Sequence, residues 1–270
     1  MKQTFIALMA LAGVASAASV GYNSMTSDQQ KDVAFAWDFA SGDVGFAAGS
    51  VDMGGSGWSS DAFSLTSTNT ATVGSQGTCP WSSQVAGMGK SFTLNLDVNA
   101  VNSYGTWDSI VSLYSNGGNA NFDHSMALTT NGDGKGTIVL QSGLGNETPY
   151  GNAGNQTLTT GLTASEISNT TFTIVSDADA KTLTLYVNGK QTSQVTNWVA
   201  AEGETLALTG FQFGSNFSDA DKIANAEVSN ITVWDKALSS AEVAALVPEP
   251  ATATLSLLAL AGLCARRRRG

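Results

Sequence analysis

Arginine does not occur before Arg266, histidine occurs once, cysteine twice, and only four of the 270 residues are proline. Each scarcity closes a class of function. Residues 18–250 carry seven lysines against 22 aspartates and glutamates, a net charge of −15. Such a surface repels nucleic acid and anionic lipid headgroups alike, so no nucleic-acid partner is expected. Two cysteines, Cys79 and Cys264, cannot supply a disulfide framework. Cys264 lies in an apolar tail, which leaves Cys79 as the single thiol of the body. That thiol and the lone His124 fall short of the four ligands of a structural zinc site. Charged residues make up only 13% of the chain. The abundant Ser, Thr, Asn and Gly still do not read as disorder, because apolar alternation persists through the middle.

That alternation is clearest from Thr171 to Gln191. Phe172 and Ile174 alternate with Thr171 and Thr173, then Leu183, Leu185 and Val187 alternate with Thr182, Thr184 and Tyr186. A period of two with β-branched and aromatic residues marks half-buried antiparallel strands. Asp177 to Lys181 forms a polar turn between them, and Asn188-Gly189 supplies the positive-φ pair of a tight type I′ hairpin. Three strands in a meander follow.

The same reading runs along the chain. Met1 to Ala17 is a signal peptide, with Lys2, an apolar run from Phe5 to Val14 and an Ala15-Ser16-Ala17 cleavage site. Residues 18–32 form a polar lead-in, expected to be unstructured. Val33 to Phe39 is the first strand of a domain covering 33–247. Ser91 to Asn99 is a clean strand, with Phe92, Leu94, Leu96 and Val98 on one face and Thr93, Asn95, Asp97 and Asn99 on the other. Ser125 to Thr130 and Thr137 to Gln141 form a hairpin closed by Asn131-Gly-Asp-Gly-Lys135. Thr68 to Gly89 and Leu144 to Ile167 read as irregular loop. Val228 to Leu238 closes the domain, and Ser239-Ser-Ala-Glu242 is a capping box opening a short helix. The expected architecture is all-β, a two-sheet antiparallel β-sandwich with a short C-terminal helix.

The Tyr186-Val-Asn-Gly189 hairpin and the closing strand–Leu238–Ser-x-x-Glu242 ending resemble laminin-G-like and concanavalin A-like lectin domains. That resemblance implies a jelly roll that binds glycans or proteins at its rim, with Ca²⁺ as a candidate ligand. Asp108, Asp123, Asp177, Asp179, Asp219 and Asp221 offer oxygens for such an ion, yet none forms an Asp-x-Asp-x-Asp-Gly loop, and each by itself reads better as a turn residue than as a ligand. Related glycosidases place Glu-x-Asp-x-x-Glu on one strand, and no glutamate here has an aspartate two residues on. Glu202 and Glu204 read as a solvated turn. His124 beside Asp123 has no Gly-x-Ser-x-Gly elbow to serve. A non-catalytic protein binding carbohydrate or a protein partner is therefore expected; a glycoside hydrolase or lyase with a different site, or a ligand-free coat protein, are the alternatives. Sugars stack on exposed rings, and Trp58, Trp81, Tyr104, Trp107 and Tyr150 lie in or beside loops. Tyr104 and Trp107 are sure neighbours and are the named carbohydrate-binding candidates, while Trp37 and Trp234 sit in strands as core.

Pro248-Glu249-Pro250, then fifteen apolar or small residues from Ala251 to Ala265, then Arg266, Arg267, Arg268 and Arg269 end the chain. This order resembles the PEP-CTERM sorting signal of Gram-negative bacteria. It implies an exosortase-type sorting enzyme as partner, and a final location at the cell surface or in the extracellular matrix. Fifteen helical residues span about 22 Å against a hydrocarbon core of about 30 Å, so the C-terminal helix enters the inner membrane only transiently or with local thinning. The arginines hold its end on the cytoplasmic side. Intact-mass measurement of protein from the native host should show residues 248–270 shortened or lost; full-length chains ending in Gly270 would overturn the sorting expectation.

Overall fold

Alternation becomes fourteen antiparallel strands among the residues that the computed structural model describes, which are 18–39, 63–65, 71–73, 77–80, 91–115, 124–142, 156–196, 208–213 and 224–247. In chain order they are β1 (Val33–Asp38), β2 (Phe63–Leu65), β3 (Ala71–Val73), β4 (Gly77–Pro80), β5 (Phe92–Ser103), β6 (Ser109–Ser115) and β7 (His124–Thr130). There follow β8 (Thr137–Ser142), β9 (Gln156–Thr163), β10 (Thr170–Asp177), β11 (Thr182–Val187), β12 (Lys190–Thr196), β13 (Leu208–Phe213) and β14 (Asn225–Trp234). Two short helices flank them, α1 (Ser27–Gln30) and α2 (Ser240–Leu246).

One sheet of eight strands runs β12-β11-β10-β5-β14-β3-β2, with β1 also on β14; the other, of six, runs β4-β13-β6-β7-β8-β9. The sandwich core lies between them. Leu94, Leu96, Phe172, Ile174, Leu185 and Val233 come from the larger sheet, and Ile110, Leu128, Ile138 and Leu140 from the smaller. Full burial of each such side chain contributes about 1.5–3 kcal/mol. The expected meander is present: β10 pairs with β11 and β11 with β12, and Asn188 and Gly189 take φ 50° and 73° in the turn. The first strand pairs with the last, Trp37 opposite Ile231. A register shift after Val33 puts that residue against a second, outer cluster, while Trp37 and Phe39 stack at 6.0 Å in the main core.

Two loop expectations are corrected. The stretch 144–167 contains β9, an edge strand antiparallel to β8. Its pattern QTLTTGLT has one residue in the core, Leu158, and a positive-φ Gly161, so it carries too little apolar signal to be recognised alone. The stretch 68–89 contains β3 and β4, each short and held by a longer neighbour, β14 and β13 respectively.

The lead-in is also corrected, because it is ordered, and β10 is buried on both faces rather than half-buried. The outer face of the larger sheet has an apolar end and a polar end. At the apolar end Val175, Tyr186 and Trp234 pack with Met25, Leu238, Val243 and Leu246 under α1 and α2. Both helices begin with a full capping box, Thr26 with Gln29 and Ser239 with Glu242. The Glu242 carboxyl, accepting from the backbone and hydroxyl of Ser239 and beside Lys236, is held down at about 2.

The polar end is a ladder of side chains across the strands. Asp97 accepts at Oδ1 from the Thr171 hydroxyl at 2.6 Å, and at Oδ2 from the Asn230 amide at 2.7 Å. Oδ2 also takes the Ser19 N–H at 2.9 Å and the Ser19 hydroxyl at 2.7 Å. In the next row Thr173 donates to Asn95, whose amide donates to the Ser19 hydroxyl at 2.8 Å. Gly21 lies so close over Asp38 that a Cβ would stand 2.7 Å from both carboxylate oxygens. A polar face thus becomes an interior because the lead-in closes over it. Asp97→Ala, which takes the acceptor from four buried donors, should cost at least about 4 kcal/mol at roughly 1–3 kcal/mol for each group left unsatisfied. Asp97→Asn keeps an acceptor towards Ser19 and Asn230 and offers its amide to the Thr171 hydroxyl, so chemical denaturation should show it much closer to the parent.

Candidate functional site

β5 is the longest strand, twelve residues, and it runs out at Ser103 into Tyr104-Gly-Thr-Trp-Asp108 before β6. This five-residue link is fastened to the end of β7. The Thr130 hydroxyl donates to the Gly105 carbonyl at 2.7 Å and accepts from the Asp108 N–H at 2.9 Å. The Asp108 carbonyl takes the Thr130 N–H at 2.9 Å and the Thr129 hydroxyl at 3.0 Å. The Asp108 carboxylate closes back on the Gly105 N–H. Trp107 is held at φ 64°, a left-handed conformation that costs a bulky residue energy and is maintained by these bonds.

The tight link brings both candidate rings onto the β7–β8 turn, Asn131 to Gly136. At Gly132 and Gly136 there is room only for hydrogen: a Cβ would come within 3.0 Å of the Trp107 ring at the first and of the Tyr104 ring at the second. Tyr104 is 41% exposed, the one large hydrophobic residue so exposed among the described residues, while Trp107 is half-buried. Asp133 accepts from the Lys135 N–H at 2.9 Å and the Thr137 hydroxyl at 2.8 Å. These bonds, the backbone one foremost, hold its carboxyl below the usual range, so it is a carboxylate at neutral pH. The rim therefore offers two rings seated on a glycine turn, with the Asn131, Asp133 and Lys135 side chains around them. The turn residues were missed as site residues in sequence, although Asn-Gly-Asp-Gly-Lys is itself a strong turn signal.

Other candidates fare differently. Asparagines at the end of β5 are engaged elsewhere: the Asn99 amide donates to Asn169 at 2.9 Å, and the Asn102 amide to Asn225 and Glu227 at 3.4 and 3.2 Å. Asp177 accepts from the N–H groups of Asp179 and Ala180, which makes it a turn residue. With Asp108 likewise occupied, these carboxylates do not make a Ca²⁺ cage, and among the described residues no three His, Cys, Asp or Glu gather as a metal site requires. Trp37 and Trp234 are both 1% exposed, as core residues should be. Trp58, Trp81, Tyr150, Asp123, Glu202, Glu204, Asp219 and Asp221 lie outside the described residues. So do residues 1–17 and the tail with Pro248, Glu249, Pro250 and Arg266 to Arg269. Cys79 and His124 are placed in β4 and β7 by their backbone alone.

Comparison with known proteins matches residues 73–244 to the family model Laminin_G_3, described as concanavalin A-like lectin/glucanases superfamily. Among curated proteins none matches. Domain 4 of AbnA, a GH43 extracellular arabinanase from Geobacillus stearothermophilus solved with arabinotriose, is similar at a TM-score of 0.53 and 14% identity over 80% of this chain and 98% of that one. The binding domain of botulinum neurotoxin DC, solved with SialylT, is similar at 0.53 and 12% identity over 80% of this chain and 51% of that one. At these identities the likeness is one of fold.

Gly132→Ala should push the Trp107 ring off the turn while the fold survives, since its backbone is one that alanine adopts. The expected readout is a red-shifted tryptophan emission, absent when Trp107→Phe is already present, with little change in melting temperature. Gly136→Ala, at φ 68°, should cost about 1–2 kcal/mol more through left-handed strain. Unchanged emission in the Gly132 variant would show that the ring does not rest there.

Proposed function

The chain belongs to the Laminin_G_3 family of the concanavalin A-like lectin/glucanases superfamily, and from that footing we propose that it is an exported, non-catalytic protein of the cell surface or matrix that binds polysaccharide at the Tyr104–Trp107 rim. The observation that carries the reading is Tyr104. A ring held against backbone and left 41% exposed keeps apolar surface in water, and stacking on the apolar face of a sugar would remove that surface from water. Asn131, Asp133 and Lys135 belong to the β7–β8 turn and bring polar groups for hydrogen bonding to the sugar. Arginine, whose fork pairs with carboxylates, is absent outside 266–269, and the body is strongly acidic. The preferred polysaccharide is therefore neutral rather than uronic or sialylated.

Hydrolysis finds little support among the described residues. A glycosidase needs two carboxyl groups about 5–9.5 Å apart across an open cleft. The buried carboxylates Asp38 and Asp97 lie instead beneath the lead-in. In this reading residues 1–17 direct export, and the 248–270 tail delivers the domain through an exosortase-type enzyme of a Gram-negative cell, with a transient stop in the inner membrane. No helix among the described residues is long and apolar enough to cross a membrane, and the tail lies outside them.

Affinity electrophoresis through gels holding a neutral glucan or alginate tests the proposal. The parent should be retarded by the neutral gel, and Tyr104→Ala with Trp107→Ala should migrate freely while its melting temperature falls by only a few degrees. Equal retardation of parent and double variant would remove the rim from the function. Release of new reducing ends from the same polysaccharide would replace binding with catalysis.

A further inference from the structure

Among the described residues Asp97 is a buried carboxylate with no cation paired to it. It is 1% exposed, and its hydrogen-bond donors, from Ser19, Thr171 and Asn230, are all neutral. Loss of water raises its pKa above 3.8, against the lowering effect of those bonds. Among the described residues the neighbouring elements provide no ion pair to Asp97. Asp38 on β1 is a second carboxylate under the same lead-in, and α1 brings Asp28 with Lys31 at its end. Lys236, after β14, pairs with Asp32 and Glu242, and Lys190, after the β11–β12 turn, is exposed. An acceptor is left over as well: Asn230 is 2% exposed, and its Oδ1 has no hydrogen-bond donor.

The atoms that reach Asp97 from outside the sheet all belong to Ser19, which is fixed at three points. Its N–H and hydroxyl donate to Asp97, and its carbonyl accepts from Asn230 at 3.3 Å. Ser19 is the second residue after the Ala15-Ser16-Ala17 cleavage site. We propose that the cluster of Asp97 and Asn230 is a binding site for the chain's own α-ammonium, the one created at Ala18 when residues 1–17 are removed. Hydrolysis of the Ala17–Ala18 peptide bond by a signal peptidase adds water, leaving a carboxylate on Ala17 and an ammonium on Ala18. Successive backbone nitrogens are at most about 3.7 Å apart, and the Ser19 nitrogen is 2.9 Å from Asp97 Oδ2. The new charge therefore lies at most about 6.6 Å from Asp97 Oδ2, and a modest turn of the Ala18 backbone brings it inside the range of about 4–6 Å in which an opposite charge favours the ionised form. Ala18 is exposed, so nothing described bars that position. In the precursor the same nitrogen is a neutral amide, and the domain lacks this contact until it has been processed. The inference rests on the export reading and is independent of the glycan site.

The sign of the pH dependence follows. An ammonium paired with Asp97 has its pKa raised above the ordinary range of about 7.7–8.0. Its stabilisation is fully present below that range and is lost as pH rises through the folded value. The test uses protein exported by the native host. Its first residue is read by N-terminal sequencing, and the α-amine is converted to a ketone by pyridoxal-phosphate transamination, which removes the charge without lengthening the chain. At pH 6 the ketone form should melt about 3 °C lower, the scale for one modest ion pair in a domain of this size. The gap should close by pH 10 and be absent in Asp97→Asn. Should that variant not fold, an NMR titration of the isotopically dimethylated α-amine of the parent replaces it, with a pKa above about 8 expected. Equal melting of amine and ketone forms, an equal loss in Asp97→Asn, or an unraised amine pKa would overturn the proposal. A mature chain beginning elsewhere than Ala18 would overturn the export reading with it.

Discussion

Everything on the outer face of the larger sheet depends on the carboxylate of Asp97 being satisfied without water. A β-strand with Thr93, Asn95 and Asp97 on one face would ordinarily show that face to solvent. Here the chain buries it, which is tolerable only if each lone pair finds a donor. Thr171 provides one from the adjoining strand, Asn230 another from the opposite side, and Ser19 two from outside the sheet. Hydrophobic residues alone would have attached the lead-in loosely, because Met25, Val20 and Tyr22 offer a small apolar area. The polar cluster adds direction. Only one register of residues 19–23 places both the N–H and the hydroxyl of Ser19 on Oδ2.

How far this was legible in sequence follows from which signals are local. Strands with a plain period of two are legible from their own residues, and β10, β11 and the capping box of α2 lie where expected, while β5 runs four residues past the expected Asn99. The lead-in was not, because nothing in Ser19 to Asp32 is periodic or strongly apolar. Its order comes largely from distant partners, Asn95 at 76 and Asn230 at 211 positions from Ser19 among them. The half-burial assigned to β10 failed for the same reason. Thr171 and Thr173 look solvent-facing until one knows that Ser19, Asp97 and Asn95 cover them. β9 failed differently: as an edge strand it needs only Leu158 in the core, and a threonine run with a glycine reads as loop.

The site shows the same division. Tyr104 and Trp107 were legible as neighbouring loop aromatics, and the structure keeps them together. Their platform was not legible as a platform. Asn131 to Lys135 reads as a turn, and nothing local says that Gly132 and Gly136 will each lie beneath an aromatic ring from a different loop. Asp108 resembled a ligand in sequence and proves to be a structural residue, its carboxylate closing on Gly105. Loop carboxylates are ambiguous in this way because the same short side chain that grips a cation also caps a turn.

β5 finally explains how one domain can combine a fixed attachment with an adaptable surface. Near its start the Thr93 hydroxyl accepts from the Leu238 N–H and donates to the Lys236 carbonyl, which fixes the approach to α2. Four residues on, about 13 Å at the usual strand rise, Asp97 holds the lead-in. Seven residues further, about 23 Å, the chain reaches Tyr104. The lead-in and α2 meet at mid-strand, where the Val20 N–H donates to the Leu246 carbonyl at 2.9 Å. Both ends of the domain therefore leave from one patch, and the rim lies well beyond it along the same strand. Substitutions at Asn131, Asp133 or Lys135, in the β7–β8 turn, therefore fall outside the residues that hydrogen-bond to Asp97.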